Sequence, residues 1–461
     1  MIPLPEFESE RVAVMGLGKS GMAAAVALRS SGARVLAWDD DAARRDAAVA
    51  EGLEVSDLRQ CDFAAVRSLV WSPGIPHGFP RPHPVATAAE RAGCEIVCDV
   101  DLLWRARREA RFVGITGTNG KSTTTALLGH ILSEAGIDTE IGGNLGPPAL
   151  GLRPLGRDGV YVLEMSSYQL ELVPNVRFDV AVLLNVTPDH LDRHGGMHRY
   201  VAAKRRAFDR QRPSDVAIIA VDDDYTRSIR DSLEAGADRK VIAVSVGSDD
   251  AAVVARDEWL TDEGCRILDL SDVPTLPGRH NRQNAAAAYA AARALGVPEE
   301  RAAAAIPTYP GLPHRQERVA TIGGAVYVND SKATNAESAA CALSSYTRIY
   351  WIAGGLAKEG GIEPLVPLFD RIVHAFLIGR AAPEFARTLE GRVPYTLCGD
   401  LADAVEAAHA MVAHDRPDDG VVLLSPACAS FDQWPSFEAR GDAFRTQVRA
   451  LAAQDGGRVL Q

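Results

Sequence analysis

The chain has 461 residues, 49 Lys+Arg against 61 Asp+Glu for a formal net charge of −12, and 47% hydrophobic residues. At roughly 150 residues per domain that predicts about three domains, each able to bury a core, and it excludes a disordered chain. The acid excess argues against a nucleic-acid or anionic-membrane binder, whose footprint is basic, while leaving room for a locally basic phosphate pocket.

The first segment opens with Arg11-Val-Ala-Val-Met, which turns at Gly16 into an alanine-rich helical stretch reaching about Ser31. Arg34-Val-Leu-Ala-Trp then runs to Asp39, giving strand, helix, strand, the unit of a parallel α/β sheet. A further strand, Leu69-Val-Trp-Ser, ends in Pro73-Gly74. The charged run from Arg105 to Arg111 reads as a solvated helical face or connector rather than a binding patch. Phe112-Val-Gly-Ile-Thr enters a Gly-rich loop and a helix, and strands are predicted at Val160–Leu163, Val180–Leu184 and Val216–Ala220. An acidic stretch over Asp249–Asp272 predicts a peripheral hairpin region, and the alanines of Asn284–Leu295 predict a helix. From about Gly311 the strand candidates are Ala325–Val328, Ile349–Ala353, Ala375–Ile378 and Val421–Leu424, again separated by helical spacers. The expected fold class is α/β in three domains: a Rossmann-like N-terminal domain over 1–100, a P-loop-type central ATPase domain over 101–312, and a Rossmann-like C-terminal domain over 313–461. No apolar run approaches the ~18 residues of a membrane span. The start, Met1-Ile-Pro-Leu-Pro-Glu, lacks the basic and apolar regions of a signal peptide. Seven thinly spread cysteines suggest reduced thiols in a cytoplasmic protein, and the close pair Cys94 and Cys98 has no second pair to complete a zinc site.

Two glycine motifs follow strands and open helices. Gly16-Leu-Gly-Lys-Ser-Gly21 matches G-x-G-x-x-G, with Asp39 lying 18 residues beyond Gly21 where a ribose-binding acid sits. Alone it supports a nicotinamide- or flavin-linked oxidoreductase, any nucleoside-diphosphate site, or merely a tight strand–helix turn. Thr116-Gly-Thr-Asn-Gly-Lys-Ser-Thr123 is more specific and resembles a P-loop, with Lys121 reaching terminal phosphates and the Ser122 hydroxyl placed for Mg²⁺. Its spacing is a variant, since only two residues separate Gly117 from Gly120.

Glu164, at the end of a predicted strand beside that loop, is either a Mg²⁺ ligand or an exposed acid in a turn. His190 and His194 have i,i+4 spacing, but Pro188 and the post-strand loop weaken a zinc pair, and Mg²⁺ prefers oxygen. Lys204, in Val-Ala-Ala-Lys-Arg-Arg, reads from sequence alone as a surface lysine on a helix.

Together the loop Thr116–Thr123, the Glu164 segment, Asn185-Val-Thr-Pro-Asp-His190 and Gly311-Leu-Pro-His-Arg315 resemble the Mur ligases, ATP-dependent amino-acid-adding enzymes of peptidoglycan synthesis. Asn329-Asp-Ser-Lys-Ala-Thr-Asn335 and Ser425-Pro-Ala-Cys-Ala-Ser-Phe-Asp-Gln-Trp434 resemble the D-glutamate-adding branch of that family. The resemblance implies an ADP-forming ligase, expected as a monomer, acting on UDP-N-acetylmuramoyl-L-alanine and D-glutamate. It implies that Gly117, Thr118, Asn119, Gly120, Lys121, Ser122 and Thr123 cradle ATP, with Asn284, Arg315, Asp330 and Lys332 closing on the nucleotide. Ser122 and Glu164 would hold one Mg²⁺, and His190 with a carbamylated Lys204 a second. Lys121, Glu164, His190, Lys204 and Arg315 are thereby the implied catalytic set. Leu17, Ser20, Asp39, Gly74 and Asn144 match positions for the UDP substrate. Thr334, Lys358, Ser430 and the backbone at Phe437 match those for D-glutamate, although the loop Ala353-Gly-Gly-Leu-Ala-Lys358 departs from the Gly-Gly-Asp-Gly-Lys form.

Overall fold

Short apolar runs buried on both faces become strands of parallel sheets covered by helices. In the computed structural model, which describes every residue except 237, 238, 272, 359 and 461, the strands form three sheets. The first has the order Arg34–Trp38, Arg11–Met15, Ser68–Trp71, Glu95–Val97, all parallel. Its first crossover helix, Lys19–Ser30, turns Ala24, Ala25, Ala27 and Leu28 inward, and these small side chains let it lie close on the sheet.

The second sheet has nine strands. From the edge they run Cys265–Asp269, Trp259–Asp262, Val253–Arg256, Lys240–Ser245, Val216–Ala220, Val180–Leu183, Arg111–Thr116, Val160–Glu164 and Thr139–Gly143. The predicted hairpin region supplies the first three as an antiparallel meander. It also continues the parallel part, with Val253 in register with Val244. Asp272, the end of that predicted region, lies outside the described residues. In the third sheet Tyr395–Gly399, Ile372–Ile378, Ile349–Gly354, Gly420–Leu424 and Ala325–Asn329 are parallel, and Glu317–Ile322 and Arg458–Val459 close the edge antiparallel.

The chain divides into two compact units. One comprises Met1–Leu270 with Gln283–Pro307 and holds the first two sheets; the other comprises Ser271–Arg282 with Thr308–Gln461 and holds the third. Within the first unit, Phe7, Trp71, Phe112, Tyr161, Phe178 and Tyr200 share one continuous core. The second unit is a three-layer sandwich. Its strand Ile349–Gly354 sends Trp351 to one face, with Phe369 and Phe385, and Tyr350 and Ile352 to the other, with Phe376 and Phe444, as the period of two requires.

Topology places the ligand edges. In the first sheet Arg11–Met15 has its successor on one side and the third strand on the other, and in the second sheet Arg111–Thr116 is likewise flanked by strands of opposite crossover. Ligands of open α/β sheets sit at the carboxyl ends of such switch-point strands. Gly16 and Gly117 are the residues found there.

Candidate active site

Gly120 adopts the left-handed conformation (φ 85°) and caps the helix Lys121–Glu134. A Cβ at this position would come 2.3 Å from Asn284 Oδ1, so the loop admits only glycine here. Asn284 also accepts from Thr124 Oγ1 at 3.1 Å, fixing the start of the helix. The loop is held from the neighbouring strand end: Asn119 N donates to Asn185 Oδ1 at 2.8 Å, and Asn185 Nδ2 donates to Asn119 O at 3.1 Å. Thr118 Oγ1 meets Tyr200 OH at 3.0 Å and accepts from Thr187 N at 3.0 Å. Lys121 folds over its own loop, its Nζ donating to Gly117 O at 2.9 Å and Thr118 O at 2.7 Å. Thr123 lies on the first turn, half-buried. Glycine-loop N–H groups and a helix N-terminus together favour phosphate oxygens.

Ser122 Oγ donates to Glu164 Oε2 at 2.5 Å, and Asn144 Nδ2 donates to Glu164 Oε1 at 2.6 Å. Glu164 is buried at the end of its strand, so it is not the exposed turn acid that sequence alone allows. Asn144, a predicted UDP-substrate residue, thus shares the carboxylate of the phosphate-loop partner.

Lys204 is the clearest correction. The surface lysine read from sequence is 1% exposed, with Nζ donating to Gly117 O at 2.7 Å and lying 4.6 Å from the centre of the Tyr200 ring. Burial and the Lys121 charge hold its ammonium well below the usual lysine value, outweighing Asp189 and Glu164. His190 is half-exposed, in a left-handed turn (φ 52°), 3.4 Å from Asp189 Oδ2. Burial lowers its pKa and, with the charges of Lys121 and Lys204, outweighs Asp189. His194 takes no part in a histidine pair: it is buried, its Nε2 2.9 Å from Ser167 Oγ and its Nδ1 3.3 Å from Glu171 Oε1. Tyr168 stands against both imidazoles.

At the first glycine loop, Leu17 N and Asp41 N donate to the Asp39 carboxylate at 2.7 and 2.9 Å, and Arg44 lies 3.4 Å away. Burial raises the Asp39 pKa, but these N–H groups and Arg44 hold it below the usual carboxylate range. The acid that would receive a ribose in a nicotinamide enzyme is therefore engaged in shaping its own loop. Ser20 hydrogen-bonds Asp99, and Gly74 is open, with nothing within 4 Å of a built Cβ.

Residues 115–292 match the Mur ligase middle domain. The UDP-N-acetylmuramoylalanine--D-glutamate ligase of Rhodospirillum rubrum is 52% identical over 99% of both chains. That of Paramagnetospirillum magneticum is also 52% identical, over 98% of this chain and 99% of its own. The chain belongs to the Mur ligase family. MurF from Acinetobacter baumannii shares its fold, with a TM-score of 0.58 at 19% identity over 79% of this chain and 87% of that one. Mur ligases use ATP, typically with Mg²⁺. Among the described residues no helix is long and apolar enough to cross a membrane.

In the second unit of this Mur ligase the remaining predicted residues gather at strand ends. Asp330 follows Ala325–Asn329 and is buried, accepting from Ser425 Oγ at 2.8 Å and Gln316 N at 3.2 Å. Burial raises its pKa to about 7, against the opposing pull of Ser425, Gln316 N–H and Arg315. Lys332 Nζ sits 3.8 Å from the centre of the Phe437 ring, and Thr334 N donates to Lys332 O at 2.8 Å. Ser430 is buried, whereas Lys358 is exposed. A bridge between Leu356 and Ala429 ties their two loops together. Sequence reading missed Arg440, which is fully buried. It donates to Ser331 Oγ and O and to Cys428 O at 2.9–3.1 Å, joining the Asp330 and Ser430 segments. Burial lowers its pKa to about 10. Tyr200 was missed too, since an isolated helical tyrosine carries no motif.

Proposed function

We propose that this Mur ligase joins D-glutamate to UDP-N-acetylmuramoyl-L-alanine with cleavage of ATP to ADP and phosphate, in cytoplasmic peptidoglycan precursor synthesis. The supporting observation is the convergence of Lys121, Ser122, Glu164 and the buried Lys204 on one phosphate loop, in a chain 52% identical to ligases named for this reaction. Residues 1–100 are assigned to the UDP-sugar, through Leu17, Ser20, Asp39 and Gly74, with Asn144 contributed from beyond them. Residues 101–312 are assigned to ATP, and 313–461 to D-glutamate and part of the nucleotide site. The working form is taken to be a monomer.

A carboxylate does not condense with an amine in neutral water, because its carbonyl is poorly electrophilic. Transfer of the γ-phosphoryl group to the alanyl carboxylate creates an acyl phosphate. The D-glutamate amine attacks it, and the tetrahedral intermediate expels phosphate. The reactants are all anions, so placed cations dominate the chemistry: Lys121 at the γ-phosphate, Arg315 and Lys332 at the nucleotide, Lys358 at a D-glutamate carboxylate. Asn284 orients the loop and Asp330 accepts from ribose hydroxyls. Thr334, Ser430 and the Phe437 backbone bind the amino acid.

The oxygen pair of Ser122 and Glu164 fits a hard cation, and His190 with Lys204 is assigned to a second. Mg²⁺ there supplies charge neutralisation on the phosphates. Capture of CO₂ requires the neutral amine, which the lowered Lys204 pKa favours, and the resulting carbamate would offer oxygen to a hard cation. The test is phosphate release with each of the three substrates withheld in turn. Release is expected only with all three present; turnover indifferent to D-glutamate overturns the assignment.

A further inference from the structure

The charged run after the first sheet is only partly the expected solvated connector: Arg108 and Glu109 are exposed, whereas the Arg105 side chain is largely buried. Arg105 and Arg108 line a cavity of about 590 Å³ together with Arg67, Arg210, Trp104 and Glu95. Arg67 precedes the strand Ser68–Trp71, and Glu95 opens the strand Glu95–Val97. The cleft therefore lies at the amino edge of the first sheet, whereas Gly16 and Gly74 follow the carboxyl ends of its strands. One ligand cannot serve both edges.

The acids of the cleft are already consumed. Arg105 donates to both oxygens of Glu95 at 2.7 and 2.8 Å and to Asp101 Oδ1 at 2.7 Å. Glu95 in turn is held ionised below the usual glutamate range, first by that guanidinium and against its burial. The other three arginines are compensated only weakly. Arg67 forms no ion pair within 4.0 Å among the described residues and acts on Glu95 only as a more distant charge. Arg210 spends its Nε on Pro174 O at 2.8 Å. Arg108 lies 5.0 Å over the Trp104 ring and reaches Glu6 only at 4.0 Å, an exposed pair worth little. Three guanidiniums around one cavity repel one another in a chain whose net charge is −12.

We propose that this cleft is a second anion site, taking a multivalent phosphate compound of nucleotide size. Guanidinium forks match phosphate oxygens, Arg108 over the Trp104 ring places an indole beside them, and the volume falls within the ~300–1,000 Å³ of small-molecule pockets. The site spans two sheets. Arg67 and Glu95 come from the first, while Arg210 belongs to the second, as does Asn175, which also lines the cleft and donates to Asp101 through its N–H at 3.1 Å. A bound phosphate would brace that junction from the side opposite the first glycine loop.

Calorimetric titration of the full-length chain with inorganic pyrophosphate tests the proposal, in a Lys121→Ala background that weakens competition from the phosphate loop. The triple variant Arg67→Ala/Arg108→Ala/Arg210→Ala is expected to lose one binding equivalent. In the otherwise wild-type chain it is expected to leave ligase turnover unchanged. Arg67→Gln alone breaks no side-chain hydrogen bond among the described residues and should raise the Kd of this site about tenfold, with added KCl weakening the parent in the same direction. Trp104→Phe should keep the binding equivalent and lose the fluorescence change that pyrophosphate produces. Unchanged stoichiometry and affinity in the triple variant and in Arg67→Gln would overturn the proposal.

Discussion

Replacing Lys204 with Met should separate stability from activity. The side chain is buried to 1% exposure beside Tyr200, and its pKa is depressed first by that burial and then by Lys121. Because the folded pKa lies below the unfolded value of about 10.5, the unfolded chain binds more protons between the two. Wild-type stability therefore rises with pH across that window, by about 1.36 kcal/mol for each unit of depression. Met fills a similar volume with an unbranched apolar chain and removes the titration. Gly117 O loses the Lys204 donor at 2.7 Å but keeps Lys121 Nζ at 2.9 Å, so no carbonyl is orphaned. In CO₂-free buffer the Met variant should melt at or above the wild-type temperature at neutral pH, with the difference shrinking as pH approaches 10. Its kcat should fall about 10²–10³-fold, the loss of roughly 2.7–4 kcal/mol expected for one group acting on transition-state charge. For Lys204→Ala, which leaves room, added acetate should partly restore turnover. The assays are calorimetric melts across pH and coupled phosphate release. Wild-type turnover in Lys204→Met would refute the assigned role, and a lower melting temperature with no pH trend would refute the buried-amine argument.

Lys121→Ala should abolish turnover while leaving UDP-substrate binding intact by calorimetry; wild-type rates would remove the phosphate loop from the chemistry. Thr334→Ala and Ser430→Ala should raise the KM for D-glutamate far more than that for ATP, and equal effects would take them out of the amino-acid pocket. Asp330 holds its proton to about pH 7 in the fold, against 3.8 for a free side chain. The folded state binds the extra proton in that window, so wild-type stability falls as pH rises from 3.8 to 7. Asp330→Asn should flatten this trend in melts, and an unchanged slope would mean another group causes it.

Much of the architecture was legible because parallel strands buried on both faces read as unbroken apolar runs. Val216–Ala220 matches its predicted bounds, and Val160–Glu164, Ala325–Asn329 and Gly420–Leu424 lie within a residue of theirs. Glu95–Val97 and Thr139–Gly143 escaped: the first is three residues long, and the second ends in two glycines that weaken any strand pattern. The strand, glycine loop and helix around Gly117–Thr123 were legible because their residues are contiguous. The links from Ser122 to Glu164 and from Thr118 to Tyr200 were beyond composition and spacing, because they depend on which strands become neighbours.

Charged residues on helices were read least well, and the reason is physical. A lysine among Val-Ala-Ala-Lys-Arg-Arg has the same local pattern whether its face meets water or a loop. Lys204 is buried because it lies one turn from Tyr200, on the face of Met197–Arg205 that meets the phosphate loop, while its neighbour Arg205 stays exposed. Arg440 follows the same logic in Phe437–Gln454, its guanidinium surrounded by the carbonyls of Ser331 and Cys428. Neither burial favours folding on its own, since an ammonium or guanidinium taken out of water costs free energy unless paired. Both tie a helix to separate loops, Lys204 through Gly117 O and Arg440 through the carbonyls of Ser331 and Cys428. A net charge of −12 describes the chain as a whole and carries no sign of these few buried basic side chains, whose placement depends on which loops the fold brings against their helices.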